Sequence, residues 1–421
     1  MELTKESQEL MQLFIKNHCI NHSAQTKRTD SILTKIFYEM QEAYAYIEDQ
    51  KKQQGMSFFK LSIKDLSING AAIPKPKSFN VNTFPKEVRE HIDTAIMKEV
   101  SYTFSLFERS IRVCFFVEDM NVELHLERYN DYVEKILVWL YIVNEYASKQ
   151  CSKKITIYLY FTSMRKGLPT SNIDVLDEIN INTAFTYTCP VDSEIVIFRK
   201  EEWFKVLIHE TFHNFGLDFS DMNMEQVNTH IKRLYDVESD INLYESYTEF
   251  WARIMNSVFC SFFATKTISK LEDFLTNTEF FINFERTYGF FQLAKVLDFM
   301  GLSYKDMYSK TEKSKTLRTT LYKERTNVLS YYIITMVLMN NYQLFLSWCN
   351  KNNLQLLQFK KSAKNLEEFC TFIERHYKSK SMTDGIICTD TILDKFKRSK
   401  KKSPKQQFIL NNMRMSICEM G

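Results

Sequence analysis

Glycine and proline are scarce in this chain, eight and six among 421 residues. Glycine at about 2% lies well under the usual level near 7%. No G-x-G-x-x-G and no G-x-x-x-x-G-K-[ST] string occurs, so the glycine loops that cradle phosphates in dinucleotide-binding and P-loop proteins are not expected here. No apolar run approaches the roughly 20 residues that a membrane helix needs; the longest are Ile136–Val143 and Tyr331–Met339. The nine cysteines form no C-x-x-C pair, and the first ten residues, MELTKESQEL, are polar and acidic, unlike a secretory leader. The cysteines therefore read as reduced thiols. The chain reads as a soluble protein of the cytoplasm or another intracellular compartment, with no membrane contact and no secretion.

An apolar content of 44% is enough for a substantial core and excludes a wholly disordered chain. The formal net charge is +3, but residues 395–405 (KFKRSKKKSPK) hold seven cations and no acid, so the remainder of the chain carries −4. This segment, Lys395–Lys405, reads either as a weak nucleic-acid or localisation contact or as a solvated tail. With Phe396 as its only aromatic residue, it offers no series of base-stacking platforms.

Five of the six prolines precede residue 191 and the sixth is Pro404, which suits a largely helical second half. Residues 1–54 read as two amphipathic helices, residues 69–85 as a proline-rich linker, and Lys86 to about Arg109 as helical. Ile111–Val117, Ile155–Phe161, Ile181–Tyr187 and Glu194–Arg199 are β-branched and aromatic, as strands require. Tyr129–Ala147 and Glu201–Asn214 have helical spacing. The fold class predicted is α+β, with four segments. These are a helical extension and linker (1–85), an α/β lobe with a mixed sheet (86–220), a helical lobe (221–390) and a basic tail (391–421).

The helix after the last strand contains His209-Glu210-Thr-Phe-His213, an H-E-x-x-H string. In a chain with so few histidines, composition alone yields this string on the order of 1% of the time. Histidines four apart share a helical face, so both imidazoles can reach one Zn²⁺, and the intervening glutamate is placed to take a proton from a zinc-bound water. Gly216 is a plausible helix cap. A catalytic zinc needs a third protein ligand. The pattern with a ligand six residues beyond the second histidine meets Phe219, which cannot bind zinc, while Asp218 is one residue out of register. A later helix carries Glu245 and Glu249, four apart and on one face. One can ligate while the other accepts a hydrogen bond from a histidine, and helical geometry alone does not say which.

His209-Glu210-x-x-His213 with a downstream Glu245 resembles the gluzincin clan of zinc metallopeptidases. Tyr244-Glu245-Ser-Tyr-Thr-Glu249-Phe is similar to the Asn-Glu-Gly-Phe-Ala-x-Tyr segment of its aminopeptidase branch. Glu245-x-x-x-Glu249 resembles the Glu-x-x-x-Asp segment of its thermolysin-like branch, and Asn182–Phe185 is similar to that branch's substrate-binding edge strand. A looser resemblance, in composition and in the string around His209, is to uncharacterised zincin-like proteins of large nucleocytoplasmic DNA viruses, which implies packaging in a virion. The gluzincin resemblance implies a zincin-like α/β lobe, Zn²⁺ as cofactor, and His209, His213 and Glu245 as ligands. It further implies Glu249 as their support, Glu210 as general base and a polypeptide as substrate. No Gly-Ala-Met-Glu-Asn exopeptidase string occurs, so an endopeptidase is expected, with Tyr288 one candidate oxyanion donor. The alternative expectation is a zincin-fold structural or virion-associated protein with little turnover.

Overall fold

The computed structural model describes residues 3–20, 25–55, 58–66, 72–264, 270–399 and 401–419. The fold is α+β, 58% helical, with one mixed open sheet of six strands. The chain divides into two compact units: residues 33–165 with 183–218, and residues 1–32 with 166–182 and 219–421. This division is not the linear one expected from the sequence. Residues 33–85 belong with the sheet, and residues 166–182 and 391–421 with the helical unit.

The sheet runs in the order β1-β2-β3-β4-β6-β5, with β1 Lys60–Asp65, β2 Lys98–Leu106, β3 Arg109–Val117, β4 Lys154–Phe161, β5 Ala184–Thr186 and β6 Asp192–Ile197. β3, β4 and β6 are parallel, and the other pairings are antiparallel. Val113–Val117 of β3 is buried without a break, as a parallel strand covered on both faces should be. The helix Leu126–Tyr146 links β3 to β4 and buries Ile136 through Leu140. The stretch expected to be helical from Lys86 to Arg109 is a helix only over Lys86–Ala95; β2 follows. Val100, Tyr102, Phe104 and Leu106 alternate with Ser101, Thr103 and Ser105, a period of two that specifies a strand.

In the helical unit, Leu243–Phe262 packs on Leu271–Phe299, and a Cβ at Gly289 would collide with the Met336 and Arg253 side chains. That close approach is what glycine permits here. The C-terminal residues are not a free tail. Glu285 Oε1 accepts hydrogen bonds from Ser416 Oγ (2.6 Å) and from the amides of Ile417 (3.0 Å) and Cys418 (2.8 Å). Lys295 Nζ donates to the Asn412 carbonyl at 2.7 Å. Burial, with Arg414 nearby, holds the Lys295 amine well below the usual range. In the basic segment, Lys397 pairs with Asp298, Arg398 with Asp394 and Lys405 with Glu9; Lys400 lies outside the described residues.

Two cysteine pairs correct the expectation of nine reduced thiols: Cys19–Cys388 and Cys151–Cys189 are disulfides. The other five cysteines are free and buried. Among the described residues, no helix is long and apolar enough to cross a membrane.

Candidate metal centre

The helix Trp203–Asn214 is buried along its whole length. Trp139 Nε1 donates to Thr211 Oγ1 at 2.7 Å, fixing the face opposite the histidines. Asn214 at its last turn donates to Thr186 Oγ1 of β5 at 2.8 Å and accepts from Ser193 Oγ at 3.3 Å. The helix ends in a two-bond reverse turn: the Leu217 amide donates to the Phe212 carbonyl (2.9 Å) and the Gly216 amide to that of His213 (3.0 Å). Gly216 stands at φ +68°, a conformation that glycine adopts without the Cβ clash other residues would meet.

That turn sends the chain back along the helix and sets Asp218 beside His213. The buried Asp218 carboxylate accepts a hydrogen bond from His213 Nδ1. Nδ1 is therefore the donor nitrogen, and Nε2 keeps the lone pair that a metal needs. His213 Nε2 and His209 Nε2 are 3.2 Å apart. Two nitrogens bound to one tetrahedral ion at zinc-like distances would be separated by about 3.3 Å, so this spacing is compatible with a shared ion as well as with a direct hydrogen bond between the rings. Asp218→Asn is expected to weaken metal affinity by roughly 10–100-fold while leaving the fold intact, as a chelator competition titration would show.

Glu245 lies in the first turn of Leu243–Phe262. Its Oε2 accepts from Tyr331 Oη at 3.1 Å and its Oε1 from Asn327 Nδ2 at 3.3 Å. Asn327 is held in turn by Asn242 Nδ2, 2.9 Å from its Oδ1. Tyr331 sits in a π-helical stretch, Leu329–Ile334. The Ser330 carbonyl there accepts side-chain bonds from Ser246 (3.0 Å) and Thr335 (2.8 Å), which suits the widened backbone. The loop leading in is gathered by Glu324, which accepts from Tyr322 Oη (2.6 Å) and from the Val328 and Leu329 amides.

Burial pushes the Glu324 carboxyl up to about 7. The folded chain thus holds this proton more tightly than the unfolded chain, whose glutamates titrate near 4.3. The stabilisation is complete below that value and is lost as pH rises to about 7. Urea denaturation should therefore show wild type losing stability relative to Glu324→Gln between about pH 4 and about pH 7.

One nitrogen each from His209 and His213 and a carboxylate oxygen of Glu245 all lie within 4.8 Å of one another, and all three residues are buried. They form a group that can hold a metal ion. Two imidazoles and one carboxylate suit a borderline transition ion better than calcium or magnesium, which prefer all-oxygen shells. Glu210 is also buried. Phe219, at the position of the alternative ligand pattern, belongs instead to a ring cluster with Tyr247, Phe359 and Phe369. The Glu249 Oε1 atom accepts from Arg253 Nε at 2.8 Å. Tyr288 accepts from Gln292 Nε2 at 3.1 Å within the helical core.

Asn327 and Tyr331, which hold Glu245, were not marked by any motif. Asp218 was visible only as a near miss to another ligand spacing. No protein-family model, curated protein or solved structure matches this chain.

Proposed function

We propose that the chain is a zinc-dependent metallopeptidase of the gluzincin type, most simply an endopeptidase. The observation that carries this reading is the buried His209–His213–Glu245 group with Glu210 adjacent in sequence to the first ligand. Zinc held by these three residues would polarise the scissile carbonyl and acidify water. The Glu210 carboxylate would take the proton of the attacking water as its oxygen bonds to the carbonyl carbon. It would then pass that proton to the amine nitrogen as the C–N bond breaks. Asp218 holds His213 in the ligating tautomer, and Glu249 is assigned the corresponding role for His209. Tyr331 donates its one hydroxyl proton to Glu245, so it would have to turn from that carboxylate to serve as the oxyanion donor, the role for which Tyr288 was one candidate. β5, the last strand of the sheet, is assigned to take up the peptide backbone by strand addition.

The test is Glu210→Gln, which keeps the side chain's size and removes its basicity. It should retain the wild-type zinc content and lose peptide cleavage by at least 100-fold, at the lower end of what general acid–base catalysis contributes. Unchanged cleavage in this variant rejects the mechanism. Full zinc occupancy with no cleavage of a broad peptide library by wild type favours the non-catalytic, structural reading.

A further inference from the structure

The helical unit contains a cleft of about 620 Å³, within the range of small-ligand sites, which span roughly 300–1,000 Å³. It is bordered by the helices Tyr342–Asn352 and Ala363–His376 and by Arg28. Five exposed permanent cations line it, Arg28, Lys351, Lys360, Lys364 and Arg375, against one carboxylate, Glu368. Among the described residues, none of the five has a carboxylate within 4.0 Å. Their neighbours do: Lys361 pairs with Asp221, Lys380 with Asp384 and His230 with Glu374. Unpaired like charges gathered in one concavity repel one another, and a folded chain tolerates that cost most readily where an anion relieves it. The chain apart from residues 395–405 is net acidic, so this is a local concentration and not a general basicity.

The cleft also has an aromatic wall. Trp348 lines it and is braced by a parallel stack on Phe345, with centroids 5.5 Å apart and planes at 13°. On the helix Ala363–His376, the lining residues Phe372 and His376 pack together at 4.6 Å. Partial burial and the Arg375 charge lower the His376 pKa, which favours a neutral ring that can stack and can both donate and accept. Asn352 and Ser347 add neutral hydrogen-bonding groups.

An excess of four positive charges exceeds what a single phosphate monoester needs, at about −2. It matches a chain of two or three phosphates, while the Trp348 face matches a planar base. We propose that this cleft binds a nucleoside di- or triphosphate, held by lysine and arginine side chains and not by a glycine loop.

The experiment is calorimetric titration of the full chain with ATP and GTP, alongside inorganic triphosphate and a single-stranded oligonucleotide. Saturable one-to-one binding of a nucleotide is expected, with quenching of Trp348 fluorescence that Trp348→Phe removes. Lys351→Ala with Arg375→Ala should weaken binding at least tenfold with an unchanged circular dichroism spectrum. Lys401→Ala with Lys402→Ala, in the basic segment, should leave it unchanged. The proposal is overturned if no nucleotide binds saturably in the millimolar range, or if both double variants weaken binding equally. It is likewise overturned if triphosphate alone binds as tightly as ATP, or if only the oligonucleotide binds and nucleotides do not compete.

Discussion

Glu245→Ala is expected to reduce bound zinc from one ion per chain to nearly none after dialysis, while Glu249→Gln keeps the ion and loosens it by roughly 10–100-fold. The two glutamates share a helical face, so their sequence alone leaves the choice open. The surroundings separate them. The Glu245 carboxylate lies with His209 and His213, and Asn327 and Tyr331 bond one oxygen each, which fixes its rotamer. Each oxygen retains a lone pair for an ion. Glu249 already spends one oxygen on Arg253. It is suited to orienting a histidine and less suited to being the sole anionic ligand. Zinc analysis that responds in the opposite order, with Glu249→Gln emptied and Glu245→Ala filled, overturns the ligand assignment.

The second large effect is on stability. The Glu249–Arg253 ion pair spans one helical turn at 2.8 Å, and both side chains are essentially inaccessible to water. Removing Glu249 takes from Arg253 its ion-pair partner and leaves the buried Glu285 carboxyl as a remaining counter-charge; breaking a buried pair typically costs about 3–5 kcal/mol. Glu249→Ala should therefore lower the free energy of unfolding by about that much, because Arg253 cannot reach water without opening the packing against Met336 and Gly289. Replacing both residues by Met and Leu should recover much of the loss. Urea denaturation of the single and double variants measures this. A loss under about 1 kcal/mol in the single variant means that the arginine finds another partner.

The site was legible in part. His209, Glu210 and His213 lie about one helical turn apart, so local spacing suffices to place them, and Gly216, three residues after His213, read as the cap. Glu245 came through because its helix repeats the same four-residue logic. Asn327 and Tyr331 reach Glu245 from 82 and 86 residues away, a separation at which one sequence carries no pairing signal. The disulfide Cys19–Cys388, 369 residues apart, was hidden for the same reason.

Of the sheet, β3 and β4 were plain because continuous β-branched and aromatic runs mark strands buried on both faces. β2 was missed because a helix runs almost directly into it, with neither glycine nor proline between Ala95 and Lys98 to mark the change of period. The C-terminus was misread because the charge run at 395–405 overshadowed Met413, Met415, Ile417 and Cys418, which the structure buries.

The most direct test of the candidate metal centre is elemental analysis of the purified 421-residue chain, coupled to the His209→Ala and His213→Ala variants. One zinc per chain is expected in wild type, retained through gel filtration and restored by added zinc after chelation, with neither histidine variant retaining it. A folded wild-type chain that takes up no metal from zinc-supplemented buffer, or that holds zinc equally well without His209 and His213, contradicts the account.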